Sequence, residues 1–358
     1  MVTNKHFFFF NDMYINFMNV ENKNKYISNW LLLITLLVAL IIIIGGLTRL
    51  TGSGLSITKW DLFIGVFPPF SSYDWEISFN LYKQIPEYHL INSSITLSEF
   101  KVIYWWEYIH RLLGRLIGLF YFFPLLYFTY KKIFKKKTLL LLYVIFVLMV
   151  IQGFVGWYMV KSGLSERVDV SHYRLSLHLT LAFVIFISLF WSYLISTKKN
   201  CLMRSIKLPM NLPLIFIFLI LLQISMGALV SGLNAGQIYQ TWPLMNQNFF
   251  PDDSLFSDLF SLTSFESASI VQFFHRNIAY FITCYFIIML FIIFKNNNFI
   301  HLRKIAMSVF FVLLLQIFLG ILTILSGAQI ILASIHQIGS IFLVATSLIL
   351  VFKNSKIS

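Results

Sequence analysis

Eight stretches of this chain are each long and apolar enough to cross a lipid bilayer, which removes most folds from consideration. They run roughly over Ser28–Leu47, Tyr104–Tyr127, Thr138–Val160, His172–Ile195, Leu212–Ser231, Ser269–Phe294, Arg303–Ser326 and Ile330–Phe352. Crossing ~30 Å of hydrocarbon takes about 20 helical residues. Inside lipid every backbone N–H and C=O must find a partner within its own segment. Runs of this length without period-two alternation therefore predict helices, not strands. The expected class is an all-α membrane protein. Composition agrees: 58% of the residues are hydrophobic, 11% are charged and mean hydropathy is +0.80. A soluble chain of 358 residues needs far more polar surface.

The formal net charge is +13, which in a soluble chain points toward nucleic acid. Here the positive residues cluster in short connections between apolar runs, as membrane topology demands. The expected partner is the lipid bilayer, and no nucleic acid. One set of connections carries Lys131, Lys132, Lys135, Lys136 and Lys137, then Lys198, Lys199, Arg204 and Lys207, then Lys295, Arg303 and Lys304. Lys353 and Lys356 follow in the tail, and no acid joins them. The other set holds Asp61, Asp74, Glu76, Glu87, Glu99, Glu166, Asp169, Asp252, Asp253, Asp258 and Glu266. Basic connections stay in the cytoplasm. Both termini are therefore expected inside, in a bacterial inner membrane; a mitochondrial inner membrane is less favoured.

The expected layout is a cytoplasmic tail over 1–27, an N-terminal half over 28–197 with an external loop at 48–103, and a cytoplasmic linker over 198–211. A C-terminal half over 212–352 with an external loop at 232–268 follows, then a short tail over 353–358. Long ordered loops tend to carry function. Two cysteines, Cys201 and Cys284, rule out a disulfide framework, and no Cys-x-x-Cys-His marks covalent haem. No signal peptide is evident in the tail, where Met13 or Met18 could serve as the start.

The chain reads as two tandem four-helix halves. His110-Arg111 recurs as His275-Arg276, an offset of 275 − 110 = 165. Gln152 and Gly156 recur as Gln316 and Gly320 at 164, Gly163 recurs as Gly327 at 164, and His178 recurs as His336 at 158. Each half starts on the same side, so pseudo-two-fold symmetry about an axis near the membrane normal is expected. Four-helix bundles hold cofactors between facing helices.

Of eight histidines, His6, His89, His172 and His301 fall in the tail, in loops or at helix ends, and are expected on the solvated surface. His110, His178, His275 and His336 each lie about six residues past the external start of a predicted span, roughly 9 Å deep at 1.5 Å per residue. A lone intramembrane histidine is often a packing residue. Four at matched depth, two per repeat, point to function. Neutral imidazole suits iron, copper or zinc. Two histidines on separate helices without supporting cysteines suit axial ligation of haem, whereas zinc calls for further ligands in each half. Each half thus most simply holds one haem, through His110/His178 and His275/His336. The repeat alone leaves open which haem is cofactor and which is substrate.

Arg111 and Arg276 follow two of these histidines, and Arg49 and Arg174 sit at external span ends. They are candidate partners for haem propionates, with snorkelling to the interface as the plainer alternative. The halves differ at one informative place, where Glu107 in the first becomes Gln272 in the second. Residues at i and i+3 share a helix face, so Glu107 is expected to project toward the same haem as His110. A carboxylate there can take a proton or steady positive charge, though a simple interfacial anchor is also open. A reactive haem in the N-terminal half and an electron-transfer haem in the C-terminal half follow.

Several stretches resemble the heme A synthase family. They include Gly45-Gly46-Leu47-Thr48-Arg49-Leu50-Thr51, Ser53-Gly54-Leu55-Ser56, Trp60, Pro68-Pro69, Pro86-Glu87-Tyr88 and Thr96-Leu97-Ser98-Glu99. The Glu107-x-x-His110-Arg111 core, Gln152-Gly153, Gly156-Trp157, His178-Leu179, Gly227-Ala228, Thr241-Trp242-Pro243, His275-Arg276 and His336-Gln337 extend the match over nearly the whole chain. The resemblance implies oxidation of the C8 methyl of haem O to a formyl group, by successive hydroxylations, giving haem A for cytochrome oxidase. It implies haem O as substrate at His110/His178, haem b as cofactor at His275/His336, and Glu107 as the essential acid. The first external loop lacks the cysteine pair of some bacterial members, so the chain is similar to the cysteine-free class. The haem O synthase, cytochrome oxidase assembly factors, an electron acceptor of unknown identity and a second copy of the chain are the partners to consider. Two other classes compete. A di-haem b-type cytochrome would only pass electrons between quinol and a partner, and a transporter would use the histidines as a proton relay.

Overall fold

The computed structural model describes residues 24–59, 64–164, 168–197 and 208–355. Most of the expected N-terminal tail and cytoplasmic linker, and positions such as His6, Trp60, Asp61, Glu166, Lys198, Lys199, Cys201, Arg204, Lys207 and Lys356, lie outside the described residues.

Among the described residues eight helices are long and apolar enough to cross a membrane, as the apolar runs require. They are α1 (Asn24–Leu50), α4 (Leu97–Tyr130), α5 (Lys136–Gly163), α6 (His172–Ser196), α7 (Asn211–Gly232), α8 (Ala268–Lys295), α9 (Ile300–Leu325) and α10 (Ile330–Asn354). Two short helices, α2 (Ser72–Tyr82) and α3 (Pro86–Leu90), form in the loop between α1 and α4. No strand occurs among the described residues.

One boundary differs by two turns. The apolar pattern starts the second span at Tyr104, but α4 begins at Leu97. Thr96 caps it: its hydroxyl accepts from the Glu99 amide at 3.3 Å, and the Glu99 carboxylate accepts from the Thr96 amide at 2.8 Å. This capping box satisfies backbone donors that would otherwise be orphaned. The extra turns carry Phe100, which continues into Tyr104 and Tyr108 on the turns that follow. Trp75, Phe79 and Tyr82 of α2 pack on these side chains, with Trp75 edge-on to Tyr104 at 5.0 Å. The loop between α1 and α4 is therefore a folded cap with its own apolar cluster.

Within the N-terminal half, α1 packs on α4 and α6, α4 on α5, and α5 on α6. Within the C-terminal half, α7 packs on α8 and α10, α8 on α9, and α9 on α10. The halves meet where α6 leans on α7, and where α10 touches α1 and α6. Gly46 permits part of that seam: Gln337 of α10 occupies the space a β-carbon on Gly46 would need, and its amide donates to the Ile42 carbonyl at 2.7 Å. At the opposite end, Asn354 clasps the backbone of Leu208 through two hydrogen bonds of 3.0 and 2.9 Å. A buried apolar cluster including Trp30, Ile34, Tyr121, Phe183, Phe186, Phe216 and Phe286 fills that end of the bundle.

Candidate functional site

A cavity of 1410 Å³ lies inside the molecule, and all eight spanning helices contribute to its wall. That exceeds the ~300–1,000 Å³ of an ordinary small-molecule pocket. His110, His178, His275 and His336 all line it.

Each of the four imidazoles is seated against a glycine of a neighbouring helix. A β-carbon on Gly45 would fall 2.8 Å from Cε1 of His110, and one on Gly156 would fall 3.0 Å from that of His178. The corresponding distances are 3.2 Å for Gly227 and His275 and 3.0 Å for Gly320 and His336. In three cases a glutamine one turn earlier on the glycine's helix clasps the histidine backbone. Gln152 donates to the His178 carbonyl at 3.0 Å, Gln223 to that of His275 at 2.9 Å, and Gln316 to that of His336 at 2.8 Å. In the fourth, Ile41 stands where the glutamine would be, beside Gly114. The signal Gln-x-x-x-Gly is visible in the sequence at 152/156, 223/227 and 316/320, of which the first and last are the pair that recurs at an offset of 164.

The rings of His110 and His178 face each other with centroids 6.5 Å apart and planes inclined at 64°. Metal–imidazole bonds of ~2 Å on each side of one ion put two axial rings about 6 Å apart, so this spacing suits one shared metal. Nδ1 of all four histidines is buried and meets no hydrogen-bond donor or acceptor. Among the described residues no three His, Cys, Asp or Glu side chains converge to hold a bare ion. A metal that brings further ligands of its own would fit the His110/His178 pair, as iron in a porphyrin does.

Glu107 lines the cavity one turn before His110 and is 3% exposed. Its Oε2 accepts from the Ser56 hydroxyl at 2.7 Å and from the Ile57 amide at 2.8 Å, and its Oε1 from the Arg111 guanidinium at 2.5 Å. Arg111 also donates to the Ile57 carbonyl at 2.9 Å. The second half repeats this arrangement without the acid. Gln272 donates to the carbonyls of Ala235 at 3.0 Å and Tyr239 at 3.2 Å. Arg276 donates to those of Tyr239, Thr241 and Leu244 at 2.9, 2.9 and 3.2 Å. Both positions therefore pin the start of an external loop to the helix that carries a histidine.

The remaining arginines divide. Arg49 lines the cavity, pairs with Asp169 at 3.4 Å and donates to the Ser231 carbonyl at 2.9 Å, so it ties the two halves together. Arg174 is not among the cavity-lining side chains; its guanidinium lies 3.5 Å over the Tyr158 ring and donates to the Tyr158 carbonyl at 2.6 Å. His172, expected at the solvated surface, is instead 2% exposed. Gly232 has no side chain, so α7 comes against His172, whose Nε2 lies 3.5 Å from the Glu266 carboxylate. A helix-end position gave no hint of that close crossing. His89 is exposed and His301 half-buried.

Eight apolar spans around a cavity lined by four histidines define a multi-pass membrane protein. The chain belongs to the heme A synthase family: the COX15-CtaA family profile, described as cytochrome oxidase assembly protein, matches residues 28–348. It is 48% identical over 344 residues to the heme A synthase of Pelagibacter ubique (strain HTCC1062), covering 95% of this chain and 99% of that protein. It is 43% identical over 331 residues to the heme A synthase of Rickettsia prowazekii (strain Madrid E), covering 92% of this chain and 98% of that one. The heme A synthase of Rickettsia felis is 42% identical over 323 residues, 89% and 95% of the two chains.

Proposed function

We propose that this protein oxidises the C8 methyl group of haem O to a formyl group, making haem A for cytochrome oxidase. The observation that carries the reading is the 6.5 Å spacing of the His110 and His178 rings, in the same cavity as Glu107. Haem O is the substrate held by that pair. His275 and His336 would hold haem b, which when bound supplies one-electron transfer. The glycine cradles, one for each imidazole, support both assignments.

The chain's own contribution is position and charge. A carboxylate has about four acceptor sites, and Ser56, Ile57 and Arg111 occupy three of them on Glu107. These donors hold the anion in place, and the remaining site is left for a proton released at the substrate or for steadying positive charge there. Gln272, at the matching place, cannot titrate, which assigns the reactive role to the N-terminal half. The missing glutamine clasp at Ile41 adds to that asymmetry.

Duplication about a pseudo-two-fold axis accounts for the recurring glycine seats and for the matching helix neighbours in the two halves. Among the described residues Lys131, Lys132, Lys135, Lys136, Lys137, Lys295, Arg303, Lys304 and Lys353 gather at one end of the spans. That end is cytoplasmic in our reading, in a bacterial cytoplasmic membrane. The haem O synthase, oxidase assembly factors and an electron acceptor are the partners this activity calls for.

The test is the pigment of the purified protein, extracted and resolved by chromatography and mass. Haem O, its hydroxylated form or haem A beside haem b supports the reading. Haem b alone would identify a di-haem electron carrier instead, and a colourless protein after ample haem supply would favour a histidine relay.

A further inference from the structure

Glu87 lies on α3 in the first external loop, yet it is only 6% exposed. Its Oε2 is shut off from solvent and meets no hydrogen-bond donor. It lines the same cavity as Glu107, His110 and His178. Burying a carboxyl without a partner is costly, and packing alone gives no reason for an acid here. Being in the first turn of a helix is a weak reason, because α3 has five residues and an exposed acid would serve as well.

The charged groups facing Glu87 come from three other elements. Asp169 of the α5–α6 loop, Glu107 of α4 and Arg49 at the end of α1 line the same cavity as Glu87, and Tyr82 and Tyr88 belong to its own loop. Arg49 is already paired with Asp169 at 3.4 Å. Burial, then the charges of Asp169 and Glu107, push the Glu87 carboxyl up to about 8, and Arg49 offsets this only in part. Near neutral pH it holds a proton and stands close to releasing it. The three acids are graded in access: Glu107 is 3% exposed, Glu87 6%, and the Asp169 side chain 39%.

We propose that Glu87 carries protons from Glu107 to the outer surface by way of Asp169. The inference rests on the reaction proposed above, in which breaking C–H bonds of a methyl group frees protons inside a largely apolar cavity. The step moves no electrons. The O–H bond of Glu87 breaks as its proton passes to the Asp169 carboxylate and thence to water. The carboxylate left on Glu87 takes the proton held by Glu107, so Glu107 returns to its anionic form. Glu87 does not touch the reacting carbon in this scheme; it resets the residue that does.

The full-length protein, wild type, Glu87→Gln and Glu87→Asp, is purified in detergent, and pigment content is measured first. An infrared pH titration then follows the carboxyl C=O band, and conversion of added haem O is followed against pH. Glu87→Gln is expected to keep wild-type pigment, to lack a carboxyl band that titrates near 8 in the wild type, and to convert haem O about tenfold or more slowly. It should also lose the limb of the pH profile near 8, and Glu87→Asp should restore part of the rate. Unchanged rate and profile in Glu87→Gln overturn the inference, as does a wild-type protein with no such band. If the wild type converts no haem O, the reaction itself fails, and the infrared arm alone decides whether Glu87 holds an exchangeable proton. If Glu87→Gln does not fold, the wild-type titration and Glu87→Asp decide.

Discussion

Gly45 of α1 and the ring of His110 on α4 are in such close contact that a β-carbon on Gly45 would lie 2.8 Å from Cε1 of His110. Gly45→Ala must therefore displace the ring, at roughly 1–3 kcal/mol for overpacking. Pigment bound at the His110/His178 pair should fall several-fold. Gly118→Ala, on α4 where nothing lies within 4 Å, should leave it intact. Soret absorbance per mole of protein checks both, and equal absorbance in the two variants would remove the cradle from the account.

Glu107→Ala should keep its pigment and form no haem A, because the histidine seats do not depend on the acid. Arg111→Gln tests the pair from the other side. It leaves a buried carboxylate without its cation, a loss of about 3–5 kcal/mol for a broken buried pair. The double substitution Glu107→Gln with Arg111→Gln should be less destabilised than the sum of the singles, since the two share one interaction. Thermal midpoints of the four proteins measure that coupling; strict additivity would argue that the pair matters little to stability.

Arg276→Ala removes donors to three loop carbonyls at Tyr239, Thr241 and Leu244. Bonds from a charged donor are worth roughly 1.5–3 kcal/mol each before relaxation. The loop at 232–268 should become cleavable by protease while α1 to α6 stay protected, and Arg276→Lys should restore protection only in part. Mass analysis of the fragments locates the cut; cleavage elsewhere, or none, would contradict the pinning role.

Glu87 also ties stability to pH. Its ordinary value of 4.5 rises to about 8 in the fold. Between those values the folded chain holds more protons than the unfolded one, so stability falls as pH rises, and the loss is complete above about 8. Glu87→Gln removes the titration. Its thermal midpoint should gain on the wild type from about pH 5 to about pH 9. A gap that stays constant over that range would show that Glu87 titrates normally.

The spans were legible because the bilayer sets their length and tolerates few charges. The four histidines stood out because ionisable groups are rare inside apolar runs. What escaped the sequence depended on how helices cross and where loops return. The start of α4 was missed although Thr96-x-x-Glu99 is a capping signal, because the apolar run begins later. His172 was misplaced because its burial comes from the approach of α7 at Gly232, some sixty residues away. The guanidiniums of Arg111 and Arg276 are engaged with loop carbonyls, and no pattern in the residues tells which carbonyls will end beside them. Glu87 sat within a recognised stretch but drew no role, since only the folded cap buries it.

At 34 residues, α4 is about 51 Å long at 1.5 Å per residue, well beyond the ~30 Å of hydrocarbon. Its outer third is the spine of the cap, and its middle carries His110. The two are segments of one stiff shaft. A tilt that lifted the cap would swing the imidazole as well, and Pro124, which breaks the helix's own bonding near the inner end, is the natural fulcrum. The cap and the His110 imidazole thus move, or stay put, as one body.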